Sequence, residues 1–213
     1  MPAWLLVPAA IAAALFLLPI VGLLTAAPWG QLWALVSDEA TLDALSLSLE
    51  CSLVSAFLCL MLGLPLAIWL AHGNDALRSA VRVLATLPMV LPPIVGGLAL
   101  LLVYGKNHLV GGSLHRWFGI EIPFSATGVI LATTYVAMPF FVLTVEAGLR
   151  GFDRRFAEAA ATLGAGPWRT LRTVTLPMIA PSVRAGLLVA WARALGEFGA
   201  TITFAGSFQG RTR

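Results

Sequence analysis

Three polar residues recur every fourth position in the last apolar stretch of this sequence: Arg193, Glu197 and Thr201. At helical periodicity that spacing puts them on one face. A charge in apolar surroundings costs at least ~2.5 kcal/mol unless it is paired or wet, so the three should turn to each other, to a protein interior or to a cavity. Two readings stay open: a structural ion pair, or, with Thr203, a stripe along a route through the protein. Neither makes or breaks a covalent bond. His72, His108 and His115 lie in loops, and no serine, histidine and acid form a catalytic set. Cys51 and Cys59 sit eight residues apart, about 12 Å along a helix and beyond disulfide reach. No histidine or carboxylate cluster flanks them at ligand spacing, so no metal and no cofactor is expected. A Gly-rich phosphate loop of the Walker type and an acidic metal site are also absent from the sequence, so any energy from ATP must come from a partner.

The elements that position such residues must cross a membrane. Of 213 residues, 59% are hydrophobic and 11% charged, and the mean hydropathy is +0.91; a soluble domain carries about 25% charge. The pI of 9.4 and net charge of +3 need no nucleic acid to explain them, because loop arginines commonly produce this balance in membrane proteins. Five candidate spans are read at about 3 to 26, 45 to 71, 83 to 104, 126 to 148 and 178 to 203, each near the ~20 apolar residues that a crossing helix needs. The first has no basic n-region and too long an apolar run for a cleaved signal. It is read as a retained helix.

Arginine placement orients the chain. The loops near 72 to 82 and 149 to 177 hold Arg78, Arg82, Arg150, Arg154, Arg155, Arg169 and Arg172, whereas the loop near 27 to 44 holds Asp38, Glu39 and Asp43 and no basic residue. The arginine-rich loops and the N-terminus are therefore expected in the cytoplasm. In the third span Pro88, Pro92 and Pro93 remove backbone donors, and Gly96 and Gly97 permit close approach of a neighbour. A broken helix is expected there, either lining a substrate route or simply kinked for packing. Glu146 is expected to pair with Arg150 four residues on, a surface-type contact worth little. Glu50 and Arg184 lie near span ends, where snorkelling suffices.

Between the last two spans, Phe156, Ala160 and Leu163 recur at i, i+4 and i+7, so a short helix there carries one apolar stripe suited to a partner's groove. Gly164 and Gly166 are expected to end it, and Pro167 to prevent its continuation. The wider segment reads Glu158, Ala159, Ala160, three residues, Gly164, nine residues, Val174, any residue, Leu176, Pro177. That spacing resembles the EAA motif of ABC importer permeases, with Val174 where isoleucine is more usual. The runs Leu87 to Pro93 with Gly96 and Gly97, Arg193 to Thr201, and Gly206 to Thr212 resemble the molybdate and sulfate permease group. The molybdate branch is favoured, since its members begin almost directly with the first span.

The resemblance covers nearly the whole chain. It implies an all-α polytopic membrane bundle of the type I importer fold, one permease domain over 1–213 with a coupling loop at about 149–177. It implies a homodimer in the inner membrane, two ATP-binding subunits on the cytoplasmic side and an external oxyanion-binding protein. Glu158, Ala159, Ala160, Leu163, Gly164, Leu176 and Pro177 would couple to the ATPase. Pro92, Pro93, Gly96, Arg193, Glu197, Thr201 and Thr203 would line the pathway, the last four near the dimer axis. Members of the family usually make a sixth crossing. A sixth helix is thus expected either beyond a shortened sequence or to be absent from this protein. Sulfate, tungstate, phosphate and amino-acid importers are the alternatives within the family, and an ATP-independent channel or secondary transporter is the alternative outside it.

Overall fold

The computed structural model describes residues 3–73 and 75–207. Most of the Gly206 to Thr212 string, residues 208–212, lies outside the described residues. Among the described residues the regular structure is helix, and they fall into two compact units that divide between Leu42 and Asp43.

The first unit holds α1 (Leu6–Ala26) and the short α2 (Leu32–Val36). α1 has 21 residues and no charge, giving a length of about 31 Å, enough to cross the hydrocarbon core. After it, the Trp29 indole N–H donates to the Leu24 carbonyl at 2.7 Å.

The second unit begins within α3 (Glu39–Ala71) and continues with α4 (Ala76–Val90), α5 (Pro93–Tyr104), α6 (Gly111–Phe118) and α7 (Ala126–Gly151). Then come α8 (Arg155–Thr162), α9 (Pro167–Thr170), a π-helical turn over Leu171–Thr175, α10 (Leu176–Leu195) and α11 (Gly199–Phe204). Central α7 packs Phe141, Val142, Val145 and Leu149 against Cys59, Ala67 and Leu70 of α3 and Ile179, Ala190 and Ala194 of α10. Small residues let these helices approach, as membrane packing requires. A Cβ on Gly63 would lie 2.7 Å from the Phe141 ring, and one on Gly186 would lie 3.3 Å from it. Phe141 is thus wedged between α3 and α10.

Hydroxyls tie the same helices together. Ser55 Oγ lies 2.6 Å from Thr133 Oγ1, and the Trp191 indole N–H donates to Ser52 Oγ at 3.2 Å. Such bonds are satisfied within the protein, the condition for burying polar groups in an apolar medium.

Four helical stretches among the described residues are long and apolar enough to cross a membrane: Leu6–Ala26, Glu39–Ala71, Ala126–Gly151 and Pro167–Leu195, the last including the π-helical turn. The expected third span, 83 to 104, is two helices. Leu91 (ψ 136°) and Pro92 (ψ 136°) are extended between α4 and α5. The ring of a proline disfavours the α conformation in the residue before it, and Pro92 and Pro93 stand in succession. Pro88, in contrast, remains inside α4. With 12 residues, α5 is about 18 Å long, short of a ~30 Å core on its own. The fifth span also differs from expectation. Its helix runs from Pro167 to Leu195 and stops at Gly196, well before 203, and α11 is a separate piece.

Candidate functional site

The Glu158–Pro177 segment is built around α8. Asp153 Oδ1 accepts the Arg155 backbone N–H at 3.0 Å, opening the helix, and Glu158 lies in its first turn. A carboxylate at a helix N-terminus complements the partial positive charge there. At the other end, Gly164 takes φ +82°. The Ala165 N–H donates to the Ala160 carbonyl and the Gly164 N–H to the Ala161 carbonyl, both at 3.0 Å. These two bonds make a Schellman turn, which favours a residue without Cβ at its left-handed position.

The faces of α8 differ. Phe156 is 52% exposed and Leu163 88%, while Ala157 and Ala161 look into a cavity of about 320 Å³ that His72, Leu149, Phe152 and Thr175 also line. The expected stripe is therefore corrected at its middle: Ala160 is half-buried, and Ala159 is exposed. Gly166 is corrected too. Its φ of −66° and ψ of 163° are extended, and it precedes α9, whose first residue is Pro167. The proline starts a helix there, using its preset φ where no donor is needed. The π-helical turn ends at Thr175, just before Leu176 and Pro177. Leu176 packs on the main core, and Pro177, which has no N–H to donate, enters α10 where the bonding pattern has already shifted.

The second set of sequence-derived residues meets where the two breaks touch. A Cβ on Gly199 would fall 2.7 Å from Pro93 Cβ, and one on Gly97 would fall 2.7 Å from the Ala200 carbonyl oxygen and 2.8 Å from Thr203 Cβ. Gly96 lies beside Tyr135 of α7, and Pro92 is exposed at the break itself. Thr203 donates to the Gly199 carbonyl at 2.8 Å. Pro93 and Thr203 therefore share one contact region, and Pro92 adjoins it.

Arg193, Glu197 and Thr201 do not share one helical face, because the helix ends between the first two. Arg193 is in the last turn of α10, Glu197 in the break and Thr201 in α11. The pair nevertheless forms: Arg193 Nη2 lies 2.5 Å from Glu197 Oε2, and the Glu197 side chain is 1% exposed. The other oxygen, Oε1, accepts the Ala200 N–H at 2.8 Å, satisfying a donor that the start of α11 would otherwise leave open. Glu197 and Thr201 line a cavity of about 180 Å³ with Ser48, Ser52 and Thr133. Thr201 Oγ1 is buried without a hydrogen-bond partner among the described residues. Arg193 is not among the residues lining that cavity.

Glu146 is where sequence reasoning went furthest astray. Instead of a surface contact with Arg150 alone, it is 3% exposed and held by two guanidinium groups, Arg82 Nη2 at 2.8 Å and Arg150 Nε at 2.9 Å. Arg82 and Arg150 also donate to the Leu70 carbonyl, at 3.2 and 3.3 Å. Arg82 is 64 residues from Glu146 in sequence, so no local spacing could have signalled the pair. A lone carboxylate in an apolar run was the one available hint.

Comparison with known proteins places the chain. Residues 63–211 match the family described as binding-protein-dependent transport system inner membrane component. The chain is 42% identical over 213 residues to a molybdenum transport system permease protein, ModB, of Mycobacterium tuberculosis, covering 100% of this chain and 80% of that protein. Proteins of the same name from Haemophilus influenzae and Escherichia coli are 41% and 39% identical, over 81% and 80% of this chain and 75% of each relative.

Proposed function

This chain belongs to the binding-protein-dependent transport system inner membrane component family, and from that premise we propose that it is the permease subunit of an ATP-driven importer that moves molybdate across the inner membrane. The permease domain spans 1–213, with its coupling loop at about 149–177. The cargo reading is supported by the molybdenum transport permeases that resemble the chain over most of their length. The coupling reading is carried by one observation: a short helix bearing Glu158, Ala159 and Ala160, closed by a Schellman turn at Gly164, offers Phe156 and Leu163 outward.

In this reading α8 docks into a cleft of a partner ATPase. Two such subunits serve a homodimer of permeases, and an external binding protein delivers the oxyanion. The arginine-rich segments and the N-terminus face the cytoplasm, since seven arginines fall within residues 72–82 and 149–177 and no basic residue within 27–44. Closure of the ATPase pair moves α8, and the permeases alternate between inward-open and outward-open states. The pathway uses the region where the two backbone breaks meet, with Pro92, Pro93, Gly96 and Thr203, and the neighbouring cavity bordered by Glu197 and Thr201. Arg193 neutralises Glu197, so the carboxylate does not repel a passing anion. A conduit needs no tight anion trap, because tight binding would slow release.

The test is reconstitution with the ATPase and the binding protein in vesicles, measuring ATP-dependent uptake of molybdate against sulfate. Molybdate-selective uptake is expected. Sulfate selectivity would reassign the cargo, and flux without ATP would overturn the coupling.

A further inference from the structure

The buried charge cluster at Glu146 sits on α7, which leads into the proposed docking helix, and reaches Arg82 of α4, which leads into the break before α5. Its carboxylate takes Arg82 of α4 in a fork, with Nη2 at 2.8 Å and Nε at 3.0 and 3.3 Å from the two oxygens, and Arg150 of α7 through Nε at 2.9 Å. Both guanidinium groups reach on to the Leu70 carbonyl near the end of α3, where helix carbonyls carry partial negative charge. Three helices are thus joined at one point by charge-assisted bonds.

The position of this point matters more than its existence. Only residues 152–154 separate the end of α7 from α8, so α8 cannot move far without pulling the turn that carries Arg150. In the same region Leu149, Phe152 and Ala71 line the cavity into which Ala157 and Ala161 of α8 face. On the other side, Arg82 lies on α4 nine residues before Leu91, where the backbone breaks ahead of α5. Apolar contacts between these helices can slide. A forked guanidinium–carboxylate pair has fixed geometry and is strengthened by its low-dielectric surroundings.

We infer that Glu146 is a positioning residue for energy coupling: with Arg82 and Arg150 it forms a clasp that makes α4, and through it the break before α5, follow the movement of α8. This rests on the coupling reading given above. The clasp touches neither cargo nor nucleotide. Its effect should therefore appear in how much ATP is consumed per ion moved, a ratio that loss of folded protein leaves unchanged.

The experiment uses the full complex with ATPase and binding protein in vesicles, comparing the unaltered protein with Glu146→Gln and Arg82→Lys. Molybdate uptake, ATP hydrolysis and the amount of ATPase retained are measured together. Glu146→Gln should keep the ATPase bound yet raise ATP consumed per molybdate by at least about fivefold, the lower end of ordinary coupling between sites. Arg82→Lys keeps the charge but loses the fork, and should raise the ratio by less. A ratio equal to that of the unaltered protein in both variants, whether uptake and hydrolysis are unchanged or fall together, overturns the clasp. If Glu146→Gln does not reach the membrane, the ratio for Arg82→Lys decides alone. Failure of the coupling reading looks different: the unaltered protein would then take up molybdate without ATP or fail to retain the ATPase.

Discussion

A side-chain carbon on Gly97 would stand 2.7 Å from the carbonyl oxygen of Ala200, so the helix after one backbone break touches the helix after the other through their main chains. Any side chain at 97 must part them. Overpacking of this kind costs about 1–3 kcal/mol, and Gly97→Val should cut uptake at least about tenfold, the equivalent of 1.4 kcal/mol. Vesicle uptake normalised to membrane level checks this. Full activity in that variant would show that the two breaks need not stay together.

Gly164 closes α8 at φ +82°, a conformation that costs an L-residue roughly 1–2 kcal/mol. Gly164→Asp adds a charge to the same turn and is expected to abolish retention of the ATPase or to leave hydrolysis uncoupled from uptake. Co-purification and the two rates are the measurements. Ordinary transport by Gly164→Asp would be strong evidence against docking through α8.

Glu197 satisfies both Arg193 and the start of α11. Glu197→Gln keeps a carbonyl for the Ala200 N–H but leaves the Arg193 guanidinium without its counter-charge. Uptake is expected to drop by at least about tenfold, some 1.4 kcal/mol, at normal membrane levels. Unchanged uptake at those levels removes this cluster from the mechanism.

Phe141, wedged between Gly63 and Gly186, is fully buried. Phe141→Ala leaves a cavity that two glycines cannot fill, and a loss of about 3–5 kcal/mol is the usual consequence. Thermal unfolding of the detergent-solubilised protein should show a markedly lower midpoint. A midpoint equal to that of the unaltered protein would mean that α3 and α10 collapse onto the gap.

Lys106 Nζ stands 2.6 Å from Glu121 Oε1. Its hydrogen bond, then its charge, with a smaller contribution from His115, holds the Glu121 carboxyl below the usual carboxylate range. A lowered value in the folded protein means that the stabilisation is present above the ordinary carboxylate range and is lost as pH falls through the lowered value. Lys106→Gln should therefore flatten the acid side of the stability profile. Coincident acid limbs for the two proteins would show that the pair contributes nothing.

Much of this was legible in the residues. Apolar runs marked the helices, successive prolines marked the break before Pro93, and Gly164 marked the end of α8, because each is a property of neighbouring residues on one chain. Spacing misled where it assumed an unbroken helix. Arg193, Glu197 and Thr201 stand four apart, yet Gly196 closes α10 and Glu197 spends its second oxygen on the start of α11. Phe156, Ala160 and Leu163 suggested one docking stripe, but the fold half-buries Ala160.

The sequence by itself determined that this is an all-helical membrane chain of the importer permease family, since span length, charge placement and the Glu158 to Pro177 spacing are all local quantities. Only the tertiary structure decided that Glu146 is a buried junction of three helices, that Gly97 meets Ala200, and that Phe141 fills the space between two glycines. The physical reason is the same in each case. Burial and ion pairing depend on which helices become neighbours, and residues 64 or 103 positions apart carry no mutual signal until the helices pack.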